Sequence, residues 1–213
     1  MADLNSTMVT STIYNSSAPL SPPSWDYRGP IASGILSLCF LLGVPGNIAV
    51  IILKPNWEHL CSLSQCLMLN LAISDLLCLL TLPVWIYSLL SDWIFGLVAC
   101  KLLACFGYIS IYSSTLTVTV LSVHRYLLVV HQQRWLNKVR KRKLLVLLWL
   151  VAMVLSTPAS VVRHLTTDHD RKRTRCSSQY VSDVQKLAVM LTEILVISIC
   201  LFVVAFAYLQ ESE

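Results

Sequence analysis

Apolar residues in this chain fall into long unbroken runs divided by short polar joints. Residues 31–53 carry no charge, residues 65–90 carry only Asp75, residues 144–162 carry none, and residues 187–209 carry only Glu193. A longer run extends from about residue 98 to residue 131. Each run approaches or exceeds the ~20 residues a helix needs to cross the hydrocarbon of a bilayer. The pattern predicts an all-α, polytopic transmembrane bundle that is effectively one domain. Its spans are expected at about 31–53, 65–90, 98–131, 142–163 and 186–209. A polar tail precedes them at 1–30, with Pro19, Pro22, Pro23 and Pro30 among Ser, Thr and Asn, and reads as disordered. A short end follows at 210–213.

The central run organises the rest, because it carries polar groups at helical spacing where lipid disfavours them. Ser114 and Arg125 are eleven residues apart, close to three turns, so they share one stripe. Tyr108 and Tyr112 share a face further along the helix. Polar groups in a span usually point at a bundle interior or a cavity. For the Ser and Thr residues a second reading stands: their hydroxyls bond back to the preceding turn. Asp75 sits near mid-depth of the second span, where a carboxylate costs roughly 2.5–3.5 kcal/mol on insertion scales. It is either a cation site shared with Ser114 or a structural acid hydrogen-bonded to Asn47, which also needs a partner on another helix. Pro45 lies within the first span, and Thr81-Leu82-Pro83 predicts a kink in the second.

Composition agrees with the runs. The 213 residues are 56% hydrophobic and 13% charged, against about 25% charged in soluble domains. Mean hydropathy is +0.68. The net charge of +5 matters through its location. Arg134, Lys138, Arg140, Lys141, Arg142 and Lys143 crowd the joint after the central run, and such clusters stay cytoplasmic. That orientation puts the N-terminus outside, where Asn5 and Asn15 are both glycosylation acceptors. The tail has no basic start followed by an apolar core, so the first span is expected to insert by itself. The basic cluster reads as a topology signal in contact with lipid headgroups, and no nucleic-acid partner is implied.

Of the eight cysteines, Cys100 and Cys176 are the two expected outside the membrane on the exterior side, where oxidising conditions favour a bridge. Such a bridge ties the long outer loop to the top of the central helix. Cys39, Cys66, Cys78, Cys105 and Cys200 read as small apolar fillers, and Cys61 as a reduced cytoplasmic thiol. Trp93 and Phe95, in a short outer loop, suit the membrane interface. Ser, His and acidic residues lie on opposite sides of the membrane, which excludes a hydrolase site. No glycine-rich phosphate loop or zinc spacing is present, so neither an enzyme nor a cofactor is expected.

Taken together, these residues resemble the rhodopsin-like G-protein-coupled receptors. The matching motifs are Gly46-Asn47, Leu69-Asn70-Leu71-Ala72-Ile73-Ser74-Asp75, Trp93 to Gly96 before Cys100, the Arg125-Tyr126 pair, Trp149, Pro158 and Cys176. Within that family, residues 110–114 and 157–165 are similar to the leukotriene B4 receptors and their chemoattractant relatives. The resemblance implies the first five helices of a seven-helix receptor fold, a plasma-membrane location and a heterotrimeric G protein as the inner partner. It implies an extracellular lipid chemoattractant bound by Tyr108, Tyr112, Arg163 and Glu193. His124, Arg125 and Tyr126 are the implied coupling residues, and a sodium ion at Asp75 and Ser114 is the one implied cofactor. Arg163 reads independently as a permanent cation at the outer rim, suited to a carboxylate or else snorkelling to headgroups.

Three departures accompany the match. His124 stands where the family has an acid, so Arg125 lacks its usual counter-charge. Residues 198–202 lack the family's proline. The chain also ends after five runs, which leaves two readings, a complete or truncated receptor or a non-signalling form that pairs with full-length receptors as a dimer, with a transporter or membrane enzyme as a weaker third. A chemoattractant peptide is the alternative ligand, and the basic loop 171–175 either favours an acidic peptide or is only a solvated turn.

Overall fold

The computed structural model describes residues 28–53, 62–129, 141–168 and 173–212. Asn5, Asn15, Cys61, Arg134, Lys138 and Arg140 lie outside the described residues. Six helices and one hairpin follow in order: α1 (Arg28–Leu53), α2 (Ser62–Leu79), α3 (Leu82–Leu90), α4 (Gly96–Val129), α5 (Lys141–Val161), β1 (Arg163–Asp168), β2 (Arg173–Ser178) and α6 (Asp183–Ser212). Helices α2 and α3 form one span, so five spans are long and apolar enough to cross a membrane.

The break between α2 and α3 falls at the expected kink. Pro83 has no N–H to give Leu79, so the α ladder cannot continue through it. The turn tightens instead: Thr81 N donates to Cys78 O at 3.0 Å, and the Thr81 hydroxyl joins it at 2.7 Å. Pro83 then serves as an early residue of α3, where a missing donor costs nothing. In α1 the helix runs through Pro45. Asn47 donates to Gly43 O on its own helix at 3.0 Å, so the partner expected on another helix is not its contact.

Helix α4 is the axis, packed against α2, α5, α6 and β1. Its buried residues are Cys100, Ala104, Ser110, Tyr112, Ser113, Thr117 and His124. The buried stripe therefore runs through Ser110, Ser113, Thr117 and His124; Ser114 is half-buried and Arg125 is exposed. This corrects one end of the stripe read from the Ser114–Arg125 spacing: Ser114 meets Asp75 across the seam, whereas Arg125 lies off it. Elsewhere small residues line the contacts, with Ala152, Ser156 and Ala159 of α5 buried. Close approach of backbones replaces the hydrophobic driving force that lipid does not supply. Large apolar side chains point outward, Leu42 at 67% and Phe202 at 71% exposed, the inverse of a water-soluble surface.

The long outer loop is a β-hairpin. β1 and β2 pair antiparallel in the register Arg163↔Ser178, Leu165↔Cys176 and Asp168↔Arg173. Cys100 and Cys176 are disulfide-bonded with Cα atoms 5.7 Å apart, which fastens β2 to the first turn of α4. Trp93 is 4% exposed and packs with both cysteines, with its N–H donating to Thr174 O at 2.9 Å. The interface role read for Trp93 gives way to a core role, because the bridge brings the hairpin down over it. Gly96 opens α4 at φ +75°, a conformation costly for other residues, and its carbonyl accepts the Trp93 indole N–H at 2.8 Å.

Candidate functional site

Helix α5 stops at Val161, and Arg163 is the first residue of β1 rather than a helix-end arginine. The strand turns its side chain under the hairpin, between two aromatic rings. The guanidinium carbon lies 5.7 Å from the centre of the Trp85 ring and 5.6 Å from that of Tyr108. Both are inside the ~6 Å range of cation–π attraction. One terminal nitrogen donates to the Tyr108 hydroxyl at 3.0 Å. The Nε atom is buried with no hydrogen-bond partner.

Two cavities open around this cation. One of about 210 Å³ is lined by Trp85, Leu103, Ala104, Gly107, Tyr108, Ile111 and Arg163. The other, about 490 Å³, reaches α1 and the hairpin and is lined by Leu36, Trp85, Arg163 and Arg175 among others. Of the four expected pocket residues, Arg163 and Tyr108 line this region. Tyr112 is buried behind Tyr108, the rings stacked at 6.4 Å. Glu193 is half-buried on α6 and lines neither cavity. Trp85 was not anticipated, and Arg175 only as part of the basic loop 171–175. Their one sequence signal is proximity: Trp85 follows the Pro83 kink, and Arg175 adjoins the bridged Cys176.

Below this region α2 and α4 are joined by hydrogen bonds at four levels. Asp75 accepts from the Ser114 hydroxyl at 2.6 Å, and Ser74 and Ser113 hydroxyls pair at 2.9 Å. Asn70 donates to the Thr117 hydroxyl at 2.8 Å and accepts from the Trp149 indole of α5 at 3.0 Å. His124 Nδ1 and the Ser64 hydroxyl meet at 3.2 Å. The cation set expected at Asp75 thus has Ser114 but not Asn47. The rest of the seam was missed, although the 3, 4 and 7 spacing of Ser110, Ser113, Thr117 and His124 is that of a packed helix face.

At the end of the bundle away from the hairpin, Arg125 lines a groove of about 390 Å³ with Ser122, Leu201, Val204 and Tyr208. Tyr126 meets Phe206 edge-on at 6.3 Å. His124, 2% exposed, faces α2 and turns away from that groove. The three coupling residues therefore divide: Arg125 and Tyr126 face α6, and His124 braces α2.

The family model described as "7 transmembrane receptor (rhodopsin family)" matches residues 46–211. The chain is 44% identical over 98 residues to the C-C chemokine receptor type 1 of Homo sapiens, covering 46% of this chain and 28% of that one. It is 35% identical over 173 residues to the C-C chemokine receptor type 8 of Homo sapiens, covering 78% of this chain and 48% of that one. It is 35% identical over 151 residues to the C-X-C chemokine receptor type 2 of Canis lupus familiaris, covering 69% and 42%. The chain thus spans less than half the length of these curated relatives.

Proposed function

Because the chain belongs to the rhodopsin family of seven-transmembrane receptors, which are receptors and not enzymes, we propose that it binds an extracellular chemoattractant at the hairpin end and a heterotrimeric G protein at the Arg125 end. In this reading the protein lies in the plasma membrane with its N-terminus outside. The ligand is a carboxylate-bearing lipid of the leukotriene B4 kind. Arg163 contacts the carboxylate, Tyr108 orients Arg163, and Tyr112 and Glu193 support them from behind. The observation that carries it is the Arg163 guanidinium, held between Trp85 and Tyr108 at the wall of a largely apolar cavity. A planar fork of donors in such a place suits a carboxylate. On membranes from cells expressing the chain, Arg163→Ala should weaken leukotriene B4 binding by about 1.5–3 kcal/mol, the range for a hydrogen bond to a charged group. Unchanged binding at equal surface expression would remove Arg163 from the site.

A peptide ligand is the second reading, favoured by the relatives, which are chemokine receptors. Displacement of a labelled chemokine but not of leukotriene B4 from the same membranes selects it.

The proposal includes a sodium ion at Asp75 and Ser114, whose hard oxygens suit it. Sodium titration should raise the melting temperature of the wild type and leave Asp75→Asn unmoved. Equal responses would leave Asp75 with its hydrogen-bonding role alone.

A further inference from the structure

Arg175 takes no part in the carboxylate contact assigned to Arg163, yet its side chain lines the same 490 Å³ cavity. The two arrive from different strands. Arg163 begins β1, and Arg175 sits on β2 opposite Thr166, immediately before the bridged Cys176. The disulfide fixes where Arg175 can reach, so the pairing of the two cations is built into the hairpin. Leu36, Leu82, Leu89 and Ile111 form much of the remaining wall. Among the side chains described, which do not include that of Asp168, no carboxylate forms an ion pair with either guanidinium. Two like charges in an apolar concavity are costly until an anion joins them.

We infer that Arg163 and Arg175 together hold a dianionic head group, with Arg175 setting the preference for two negative charges over one. The inference rests on the reading of Arg163 as the anion contact, and replaces the single carboxylate of that reading with a head group of two negative charges. A monoanion satisfies the cation already fixed between Trp85 and Tyr108 and leaves Arg175 without a counter-charge. A head group with two negative charges serves both. A phosphate monoester, with a charge of about −1.5 to −2 at pH 7, has that form and several acceptor oxygens. The apolar wall takes a short alkyl arm. The ligand class is therefore a small amphiphile with a dianionic head, and the cavity volume is within the roughly 300–1,000 Å³ usual for small-molecule sites.

The full chain in nanodiscs of phosphatidylcholine, titrated with decyl phosphate, decanoate and decyltrimethylammonium, tests this by thermophoresis. Wild type should bind decyl phosphate about 10- to 100-fold more tightly than decanoate, the factor of one added charge-assisted hydrogen bond. Arg175→Gln should abolish that preference while leaving decanoate binding in place, and Arg175→Lys should retain most of it. Arg163→Gln should weaken both anions. Equal affinity of the two anions for the wild type, or an intact preference in Arg175→Gln, overturns the inference. Decanoate binding no better than decyltrimethylammonium marks a different failure, that of Arg163 as an anion contact. A diacidic peptide without an alkyl arm that outcompetes decyl phosphate overturns the amphiphile.

Discussion

Arg163 is held by rings instead of by an acid. A carboxylate partner would neutralise it, whereas Trp85 and Tyr108 position it and leave its charge available. Tyr108→Phe keeps the ring and removes the hydroxyl that accepts from Arg163 at 3.0 Å. It should lower affinity for an anionic ligand by about 0.5–1.5 kcal/mol, the net worth of an ordinary hydrogen bond. Tyr108→Leu should cost more, since the cation–π contact of about 0.5–2 kcal/mol goes with it. Competition binding on the two variants checks the order; the reverse order would mean the ring contributes nothing. Arg163 was legible in the sequence because a permanent cation at a span end calls for explanation, whereas Tyr108 came from the family resemblance. Trp85 was not legible, because an aromatic near a span end already has an ordinary explanation at the membrane interface. Asn47 misled for a related reason: an amide in hydrocarbon needs a partner, but the nearest carbonyl of its own helix satisfies it.

At the scale of elements, α2 and α4 are matched along four levels by Ser64–His124, Asn70–Thr117, Ser74–Ser113 and Asp75–Ser114. The pairing keeps one antiparallel register from end to end. Interhelical hydrogen bonds in membranes average about 0.6 kcal/mol each, with a maximum near 1.7. Asn70 has two such bonds, to α4 and α5, so Asn70→Ala should cost roughly 1–2 kcal/mol on that scale. A double-mutant cycle with Trp149→Phe, read by thermal unfolding in detergent, should show coupling; strict additivity would mean the Asn70–Trp149 contact is energetically empty. The spans were legible because hydrocarbon admits so few solutions for a backbone. The hairpin was not, since residues 163–168 and 173–178 are mostly Arg, Thr and Ser, without the apolar alternation that marks a half-buried strand. Its order comes from the bridge to Cys100 and from the backbone bond between Trp93 and Thr174, neither of which is local in sequence.

For the whole molecule, family membership and five long apolar helices agree with the fold class read from the runs. Sidedness is the next question. With the N-terminus outside, enzymatic removal of N-glycans should shift the mobility of the wild type, and Asn5→Gln with Asn15→Gln should abolish the shift. No shift in the wild type would remove the sequons as support for that orientation. The α2–α4 seam has a further mechanical consequence. Matched teeth from Ser64 to Asp75 on one shaft and from His124 to Ser113 on the other allow no partial slip: a displacement of one tooth unseats every pair together. Helices α2 and α4, with α5 keyed to them through Trp149, therefore resist shear as one block. Helix α6 meets α4 partly through the rings of Tyr126 and Phe206, a contact without that toothed register. Arg125 lines the groove beside it.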